Sequence, residues 1–410
     1  MDIVILDKQK ILLLPSWYPS EIDPITGSFF YEQALLLSKK YDFHVLHFER
    51  KRYSLGSYLK QSRKHHTQPL SSALPGEYIR IPQLHCYAPI SEKIAHNNQQ
   101  KAIVTACVAI QQLIDKGWKP DLIHCHSVDG FGALSGYVAK HFGIPLIITE
   151  HNHRLINNSC NLSQVEQRSI ANAYQQASQV LCVSQDLKRQ LLMHNYQCDP
   201  KIVGNYVDDS LFTTTEKQDD TPFNILCVSY DSHLKDNKTL AKTLLEINQS
   251  TINNFTVTLI GKGLKELFEN NYPEVLKNLG KKVEFVAVVE RTQMPDYYQR
   301  CNVLLSTSVA ETFGLAQCEA IFCGRPIVAV KNGGVDEMIK DVNGILCPVG
   351  EPQELAEAIA QIYKKTFITD PQKIHQSVVN KFSRNAFFER QDGFYQRVIE
   401  SYSDHKSPAI

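Results

Sequence analysis

The chain has 410 residues, of which 43% are hydrophobic and 21% are charged, proportions that are typical of globular proteins. Its 43 Lys and Arg balance its 43 Asp and Glu, so no overall charge points to a nucleic-acid partner. The length exceeds that of one ordinary core and predicts two domains of about 150 to 200 residues. Eleven cysteines without a C-x-x-C pair argue against a disulfide framework, and they favour a reducing, cytoplasmic location.

The first half of the chain alternates short apolar runs with helical patterns. The runs are KILLLP (10–15), FHVLHF (43–48), EYIRIP (77–82), DLIHCH (121–126), PLIITEH (145–151) and QVLCVS (179–184), with helical patterns at 96–116, 130–142 and 163–177. Strands that are apolar on both faces and separated by helices are typical of a buried parallel sheet. No run reaches 18 apolar residues, so the sequence predicts no membrane span.

The second half repeats this alternation. Its apolar runs are FNILCVSY (223–230), FTVTLIGKG (255–263), VEFVAVV (283–289), NVLLSTS (302–308), PIVAV (326–330) and GILCPV (344–349). We therefore predict an α/β fold with two doubly wound, Rossmann-like domains, at 1–208 and 223–381, joined by the polar linker 209–222. A last helix within 382–410 carries an apolar stripe at Phe387, Phe394 and Val398, and it is predicted to cross back to the N-terminal domain.

The stretch 308-SVAETFGLAQCEAIFCGRP-326 carries the chemistry of the second half. A strand that ends near Ser308 and a helix that runs from Gly314 or Leu315 to Gly324 would place a turn at the carboxyl end of a parallel strand, where such sheets bind ligands. The free backbone N–H groups of Phe313, Gly314 and Leu315 would favour a phosphate there.

Two carboxylates, Glu311 and Glu319, accompany this predicted phosphate site. Two acids beside an anion are unexpected unless the ligand also offers hydroxyl groups, since carboxylates accept hydrogen bonds from hydroxyls. A nucleotide sugar has both a diphosphate and hydroxyls, on its ribose and on its donor sugar. The stretch therefore indicates a sugar-nucleotide site.

The E-x7-E spacing of these acids, followed by AIFCGRPIVAVKNGGVDEMI, resembles the signature of the retaining glycosyltransferases of family 4. The resemblance extends over nearly the whole chain, through PSWYP…ITGSFF (15–30), DLIHCH, PLIITEH, VLCVSQDLKRQL (180–191) and KIVGNYVDDSLF (201–212). It implies the GT-B fold, with two Rossmann-like domains facing a cleft. It also implies transfer of a sugar from a nucleoside diphosphate sugar to an acceptor hydroxyl with retention, in glycan, glycolipid or polysaccharide biosynthesis.

The resemblance assigns roles to individual residues. Glu319 matches the acid that binds the nucleotide ribose, and Glu311 matches the acid near the donor sugar hydroxyls. Gly27 matches the glycine whose backbone approaches the donor diphosphate, although it could simply open a helix with Ser28 as N-cap. His151 matches a histidine beside the donor sugar.

The resemblance also assigns Lys235 as the cation that neutralises the diphosphate, and it places Ser308 with the turn Phe313, Gly314 and Leu315 in the donor site. The family usually has an arginine six residues before the position of Asp236, where this chain has Tyr230. That departure removes one fixed cation from the leaving group. Lys238 and Arg291 are the candidates to replace it.

We expect no bound metal and no cofactor apart from the nucleoside diphosphate sugar, which is a co-substrate. The chain has no D-x-D pair to hold a cation on a diphosphate. The alternate-residue pairs His124/His126 and His151/His153 leave a metal site open as an alternative, although no carboxylate or cysteine cluster with metal spacing accompanies them. The preferred interpretation has one histidine of each pair facing the cleft.

The stretch 50-RKRYSLGSYLKQSRKHH-66 has six Lys or Arg and no acid. It is either a solvated loop or a patch for an anionic acceptor or membrane surface. The expected partners are thus the nucleotide-sugar donor and a glycan or lipid-linked acceptor. Peripheral contact with the inner face of an anionic membrane is a further expectation. Two alternatives to a transferase remain at this point: a sugar-nucleotide epimerase of the same fold, and a donor-binding subunit without activity.

Overall fold

The computed structural model describes residues 7–19, 26–61, 66–70, 73–84, 91–151, 162–194, 196–215, 222–367 and 370–404. These residues form two compact units. The first contains the described residues up to Val183, Leu187–Val203 and those from Phe388 onward, and the second contains Ser184–Asp186 and Gly204–Phe387. Residues 209–215 of the predicted linker group with the second unit, and 216–221 lie outside the described residues.

The first unit is built on a sheet of eight strands. They are β1 (Lys10–Pro15), β2 (Asp42–Tyr53), β3 (His66–Pro69), β4 (Gly76–Leu84), β5 (Leu122–His126), β6 (Leu146–Glu150), β7 (Gln179–Cys182) and β8 (Lys201–Ile202). Their order is β3-β4-β2-β1-β5-β6-β7-β8, and all neighbours are parallel except β3 and β4. The helices are α1 (Ser28–Leu37), α2 (Leu55–Gln61), α3 (Ser91–Asp115), α4 (Ser135–Phe142), α5 (Gln164–Gln176) and α6 (Gln185–Met193).

The second unit is built on a parallel sheet of six strands. They are β9 (Phe223–Val228), β10 (Phe255–Ile260), β11 (Val283–Val286), β12 (Val303–Ser306), β13 (Ile327–Val330) and β14 (Gly344–Cys347), in the order β11-β10-β9-β12-β13-β14. The helices are α7 (Asn237–Gln249), α8 (Leu264–Asn271), α9 (Pro273–Leu279), α10 (Met294–Arg300), α11 (Leu315–Phe322), α12 (Pro352–Tyr363) and α13 (Pro371–Phe382). Strands β12 and β13 are buried along their whole length, as expected for parallel strands covered on both faces.

The twelve strands predicted from the sequence are all present, and β3 and β8 are the two that the sequence reasoning missed. The largest difference lies in β2, which continues to Tyr53 instead of ending at Phe48. Its register with β4 runs without interruption from Val45 opposite Gly76 to Tyr53 opposite Leu84. The start of the basic stretch is therefore strand followed by the helix α2, and the interpretation as a solvated loop is wrong for these residues.

The last helix, α14 (Arg384–Asp404), packs in the first unit from Phe388 onward. Its Tyr395 is 0% exposed, and the hydroxyl forms a 2.6 Å hydrogen bond with Nδ1 of His124 on β5. Phe387 packs on Tyr206 within the second unit. Tyr395, and not the predicted Phe394, is therefore the buried aromatic residue of this part of the helix.

None of the helices in the described ranges is both long enough and apolar enough to cross a membrane.

Replacing Tyr395 by Phe should lower the free energy of unfolding by about 1–3 kcal/mol, because buried His124 Nδ1 loses its hydrogen-bond partner. Urea titration followed by tyrosine fluorescence or circular dichroism measures this change. The matched control is Tyr137→Phe on α4, where the side chain is partly exposed and the change should stay within about 0.5 kcal/mol. Equal stabilities of the two variants would contradict a structural role for the Tyr395 hydroxyl.

Candidate active site

An ion pair between Lys235 and Glu311 lies at the carboxyl ends of two neighbouring strands in the second unit. Lys235 ends a short 3₁₀ turn between β9 and α7, and Glu311 lies in the loop between β12 and α11. The Lys235 Nζ and Glu311 Oε1 atoms are 2.6 Å apart, and each side chain is 16% exposed. Lys235 is therefore mostly buried and paired, and it is not a solvated surface lysine. Lys235, which the resemblance assigned to the diphosphate, and Glu311, which it assigned to the donor sugar, are therefore in direct contact.

Backbone hydrogen bonds hold the two loops together. The N–H of Val309 donates to the carbonyl of Leu234 at 2.9 Å, and the Thr307 hydroxyl donates to the carbonyl of Lys235 at 2.9 Å. Ser308 is buried, and its carbonyl accepts a 2.8 Å hydrogen bond from the side-chain amide of Asn332. These contacts fix the backbone on both sides of the ion pair, so its position does not depend on the two charges alone.

Glycines bring the backbone close to Glu311. Gly314 is the N-cap of α11 and has a φ of 84°, a conformation that favours glycine, and a Cβ there would overlap Val335. A Cβ on Gly334 would overlap the carbonyl of Glu311, and Gly333 forms a parallel bridge with Glu311. The Gly-Gly pair that follows β13 therefore packs directly against the loop that carries the acid.

The amino end of α11 has no side-chain cap among the described residues, as an anion-binding helix terminus requires. Helix α11 begins at Leu315, as predicted. The side chain of Phe313 is buried against the ring of Phe382, with centroids 5.1 Å apart. Phe313 can therefore serve a ligand only through its backbone N–H, since its side chain belongs to the core.

Glu319 is buried one turn into α11, where one hydrogen-bond donor and one ion-pair partner contact it. The Tyr298 hydroxyl donates to Oε2 at 2.9 Å, and Arg291 Nη2 lies 3.3 Å from Oε1. Burial, followed by the neighbouring carboxylate, raises the pKa of Tyr298 well above its ordinary value, so the phenol keeps its proton. A carboxylate oxygen carries two lone pairs, so one oxygen can accept more than one hydrogen bond.

The cation that the family places at position 230 is not replaced by Arg291, which pairs with Glu319 instead. Lys238 is exposed on α7. Tyr230 is 50% exposed, and its ring lies under Lys235, with Nζ 5.3 Å from the centroid. Tyr230 therefore supports the position of the lysine through a cation–π contact but brings no charge. Sequence reasoning missed Tyr298 because it is 21 residues from Glu319.

In the first unit, His151 follows β6 and is buried. Its Nε2 is 3.1 Å from Nδ1 of His126, and its ring packs on Phe29 and Phe30. Burial lowers the pKa of both His151 and His124 to about 3 and that of His126 well below its ordinary value, so all three are neutral at pH 7. His153, the other member of its predicted pair, lies outside the described residues.

Glu150 was not predicted and positions the start of the loop that carries His151. It is 0% exposed, and it accepts hydrogen bonds from the backbone N–H groups of Val128 at 3.1 Å and His151 at 2.9 Å. The hydroxyls of Ser127 and Tyr174 also donate to it. Ser127 has a φ of 65°, an unfavourable conformation for this residue that the carboxylate helps to hold.

Gly27 is the N-cap of α1, with a φ of 77°. Ser28 is the first helical residue, so the prediction that Ser28 caps the helix is wrong. A Cβ at Gly27 would lie 2.8 Å from the carbonyl oxygen of Trp17, so glycine is required for both conformation and space. Packing against Trp17 thus explains the glycine at this position, and the approach of Gly27 to the donor diphosphate stays a prediction.

The described parts of the chain contain no group of three or more His, Cys, Asp and Glu residues arranged to hold a metal ion.

The fold defines the class of the protein, since two Rossmann-like units with parallel sheets are the architecture of GT-B glycosyltransferases. The chain matches the family described as "Glycosyltransferase Family 4" over residues 53–211 and the one described as "Glycosyl transferases group 1" over residues 222–365. Together the matches span nearly three quarters of the chain. The chain belongs to the family 4 type of glycosyltransferases.

Several relatives share this assignment. An uncharacterized glycosyltransferase of Methanocaldococcus jannaschii is 23% identical over 69% of this chain and 76% of its own length. One subunit of the human phosphatidylinositol N-acetylglucosaminyltransferase is 24% identical over 76% of this chain and 64% of its own. The D-inositol 3-phosphate glycosyltransferase of Thermobifida fusca is 25% identical, and the match covers 62% of this chain and 63% of the relative. The chain spans less than two thirds of these last two relatives.

Solved structures confirm the fold. Sucrose-phosphate synthase from Thermosynechococcus elongatus superposes with a TM-score of 0.69 at 19% identity, covering 96% of this chain and 100% of that structure. Anabaena HepE in complex with UDP gives a TM-score of 0.67 at 19% identity, with 95% and 100% covered. The HepE complex with UDP-glucose gives 0.64 at 20% identity, with 95% and 99% covered. The predicted GT-B fold is therefore correct.

Replacing Glu319 by Gln should lower the free energy of unfolding by about 1.5–3 kcal/mol, because the Tyr298 hydroxyl loses a charged hydrogen-bond acceptor and Arg291 loses its ion-pair partner. Urea titration of both proteins measures the difference. The matched control is the exposed Glu337→Gln, for which we expect less than about 0.5 kcal/mol. A Glu319 variant as stable as this control would show that the two contacts add nothing to the fold.

The buried histidines should make stability fall in acid. Above about pH 6.5 His151 is neutral in both states, so its full contribution is present. As the pH falls towards 3, His151 becomes protonated in the unfolded chain but stays neutral in the folded chain. The free energy of unfolding therefore decreases by up to about 1.4 kcal/mol per pH unit. His151→Asn should reduce this slope between pH 6 and 4, whereas exposed His141→Asn should leave it unchanged. Equal slopes in the two variants, measured by urea titration, would contradict the prediction.

Proposed function

We propose that this glycosyltransferase moves a sugar from a nucleoside diphosphate sugar to an acceptor hydroxyl, with retention of the anomeric configuration and without a metal ion. The observation that carries the proposal is the Lys235–Glu311 ion pair beside the uncapped start of α11. A diphosphate needs positive charge and backbone N–H donors, and a sugar needs hydroxyl acceptors. This small region offers all of them.

The donor is supported by the solved structures with the same fold. HepE of Anabaena is described in complex with UDP and with UDP-glucose, and those ligands belong to that protein. For this chain we propose the general class, a nucleoside diphosphate sugar, with Glu319 accepting from the ribose and Glu311 from the donor sugar. Ser308 and the backbone of the 313–315 turn would line the same site.

The proposed acceptor class rests on the names of two relatives. The names of two relatives couple transfer to an inositol compound that carries phosphate, phosphatidylinositol in one case and D-inositol 3-phosphate in the other. We propose an acceptor of the same general chemistry, with hydroxyl groups and an anionic group. Glycans and lipid-linked sugars of glycolipid or polysaccharide biosynthesis meet this description, and a lipid-linked acceptor would bring the protein to an anionic membrane.

The proposed reaction breaks the bond between the anomeric carbon and the diphosphate oxygen and forms a bond to the acceptor oxygen. Negative charge grows on the leaving diphosphate, and Lys235 and the N–H groups at the start of α11 stabilise that charge. The acceptor proton passes to the departing phosphate oxygen. His151, kept neutral by burial, contributes a hydrogen bond to the sugar rather than a charge.

Thermal unfolding in the presence of UDP-, GDP- and ADP-sugars tests the proposed donor class. We expect one of these donors to raise the melting temperature, because a ligand that binds the folded state stabilises it. A transfer assay with that donor and lipid-linked and glycan acceptors follows, with NMR of the product to read the anomeric configuration. Conversion of the donor to another sugar nucleotide without acceptor would identify an epimerase, and binding without any turnover a non-catalytic protein.

Replacing Lys235 by Ala should lower kcat/KM for the donor at least about tenfold, or about 1.4 kcal/mol of barrier, because the leaving diphosphate loses its cation. The matched control is Lys238→Ala, which removes an exposed lysine three residues away and should change the rate less than twofold. Wild-type transfer should also survive excess EDTA. Loss of transfer in EDTA, restored by manganese or magnesium, would refute the metal-independent mechanism.

A further inference from the structure

A pocket of about 440 Å³ opens in the first unit, at the carboxyl ends of β2 and β4 and beside the starts of α3 and α5. Its size falls within the range of small-molecule sites. The carboxyl edge of a parallel sheet is also where such folds bind ligands. None of the residues that line this pocket belongs to the proposed donor site.

Arg50 brings an unmatched positive charge to this pocket. Side chains alternate along β2, so Arg50 shares a face with Phe48, whose ring stacks on Phe131 with centroids 4.1 Å apart. Arg50 is partly buried next to these two rings. It has neither a hydrogen bond nor an ion pair with any residue in the described ranges. A guanidinium keeps its charge in proteins, so a cation without a bonded partner lines the pocket.

The carboxylates of the pocket are already engaged. Glu166 accepts from the N–H of Ser163 at 3.1 Å in the capping box of α5, and it pairs with Arg52 at 3.4 Å. Glu92 accepts a 3.2 Å hydrogen bond from the N–H of Gln164. Both acids therefore complement the positive start of α5 or the outer arginine. Glu166 also attracts the Arg50 charge at longer range, but neither acid is within ion-pair distance of Arg50.

Gln83 supplies a second unmatched donor. It lies opposite Arg52 in the β2–β4 register and lines the pocket, and its side chain is 3% exposed. The Nε2 atom of Gln83 has no hydrogen-bond partner in the described part of the chain. A buried amide donor without a partner is costly, and ligand binding is a common reason for such a group.

We propose that this pocket binds an anionic group of the acceptor, with Arg50 as the pairing cation and Gln83 as a neutral donor. The anion is an oxyanion, either a phosphate or a carboxylate, since these match the fork of a guanidinium. Naming the ligand as the acceptor rests on the proposed function, whereas the binding of an oxyanion to Arg50 does not.

Isothermal titration of the whole protein with four probes tests the proposal: sodium phosphate, glucose 6-phosphate, glucuronate and glucose. UDP at saturation is kept in the cell so that the donor site does not take up the phosphates. We expect glucose 6-phosphate or glucuronate to bind at least tenfold more tightly than glucose. Preference between these two separates a phosphate from a carboxylate as the recognised group.

Arg50→Gln should lower the affinity for the anionic probe at least tenfold and leave the affinity for UDP unchanged. The matched control is Lys51→Gln, which removes the adjacent exposed lysine on the opposite face of β2 and should leave both affinities unchanged. Arg50→Lys, which keeps the charge without the fork, should bind with intermediate affinity. Failure of every anionic probe to bind, or equal loss in the Arg50 and Lys51 variants, overturns the proposal.

The same variants distinguish this inference from the proposed function. If the protein transfers sugar, Arg50→Gln should raise the KM of an anionic acceptor and leave the donor KM unchanged. If the protein binds no sugar nucleotide but still binds the anion through Arg50, the proposed function fails and the pocket remains an oxyanion site. If transfer proceeds and Arg50→Gln leaves the acceptor KM unchanged, only the pocket assignment fails.

Discussion

The contact between Lys235 and Glu311 depends on the order of the sheet in the second unit. Their loops follow β9 and β12, which are adjacent and parallel, so their carboxyl ends lie side by side. Withdrawal of two charges from water costs free energy that their attraction recovers only in part. The loops are already joined by backbone hydrogen bonds, so the pair is not required to connect them. A ligand with both anionic and hydroxyl groups gives these charges a physical reason.

Close backbone packing is the second constraint on the site. Gly314 and Gly334 are positions where any side chain would overlap a neighbour, and they border the loop of Glu311 on two sides. No side-chain cap from the described residues bonds the backbone N–H groups at the start of α11. The buried Phe313 anchors the same turn to α13. Close packing on both sides therefore holds this turn in place.

The first unit uses buried polar groups differently. Glu150 is fully buried and satisfied by four donors, so it stabilises the loop backbone without offering a free charge. His151 beside it is kept neutral by burial, so it adds no charge to this loop. Arg50 is the opposite case, a charge left without a bonded partner next to an unmatched amide. Glu150 thus stabilises the fold, whereas Arg50 belongs to the pocket proposed to bind an oxyanion.

The sequence by itself determined twelve of the fourteen described strands, the start of α11 and the pair of acids, because apolar runs, glycines and the E-x7-E spacing are local signals. It did not determine how far β2 extends, since that length depends on pairing with β4 about thirty residues away. Nor did the sequence determine the hydrogen bond from Tyr298 to Glu319 or the one from Ser127 to Glu150. Both contacts exist only after the sheets have formed. The sequence also offered Arg291 as a replacement cation for the diphosphate, whereas in the structure Arg291 pairs with Glu319. Local patterns set each element, whereas the partner of a buried polar group is decided by which elements the tertiary fold brings together.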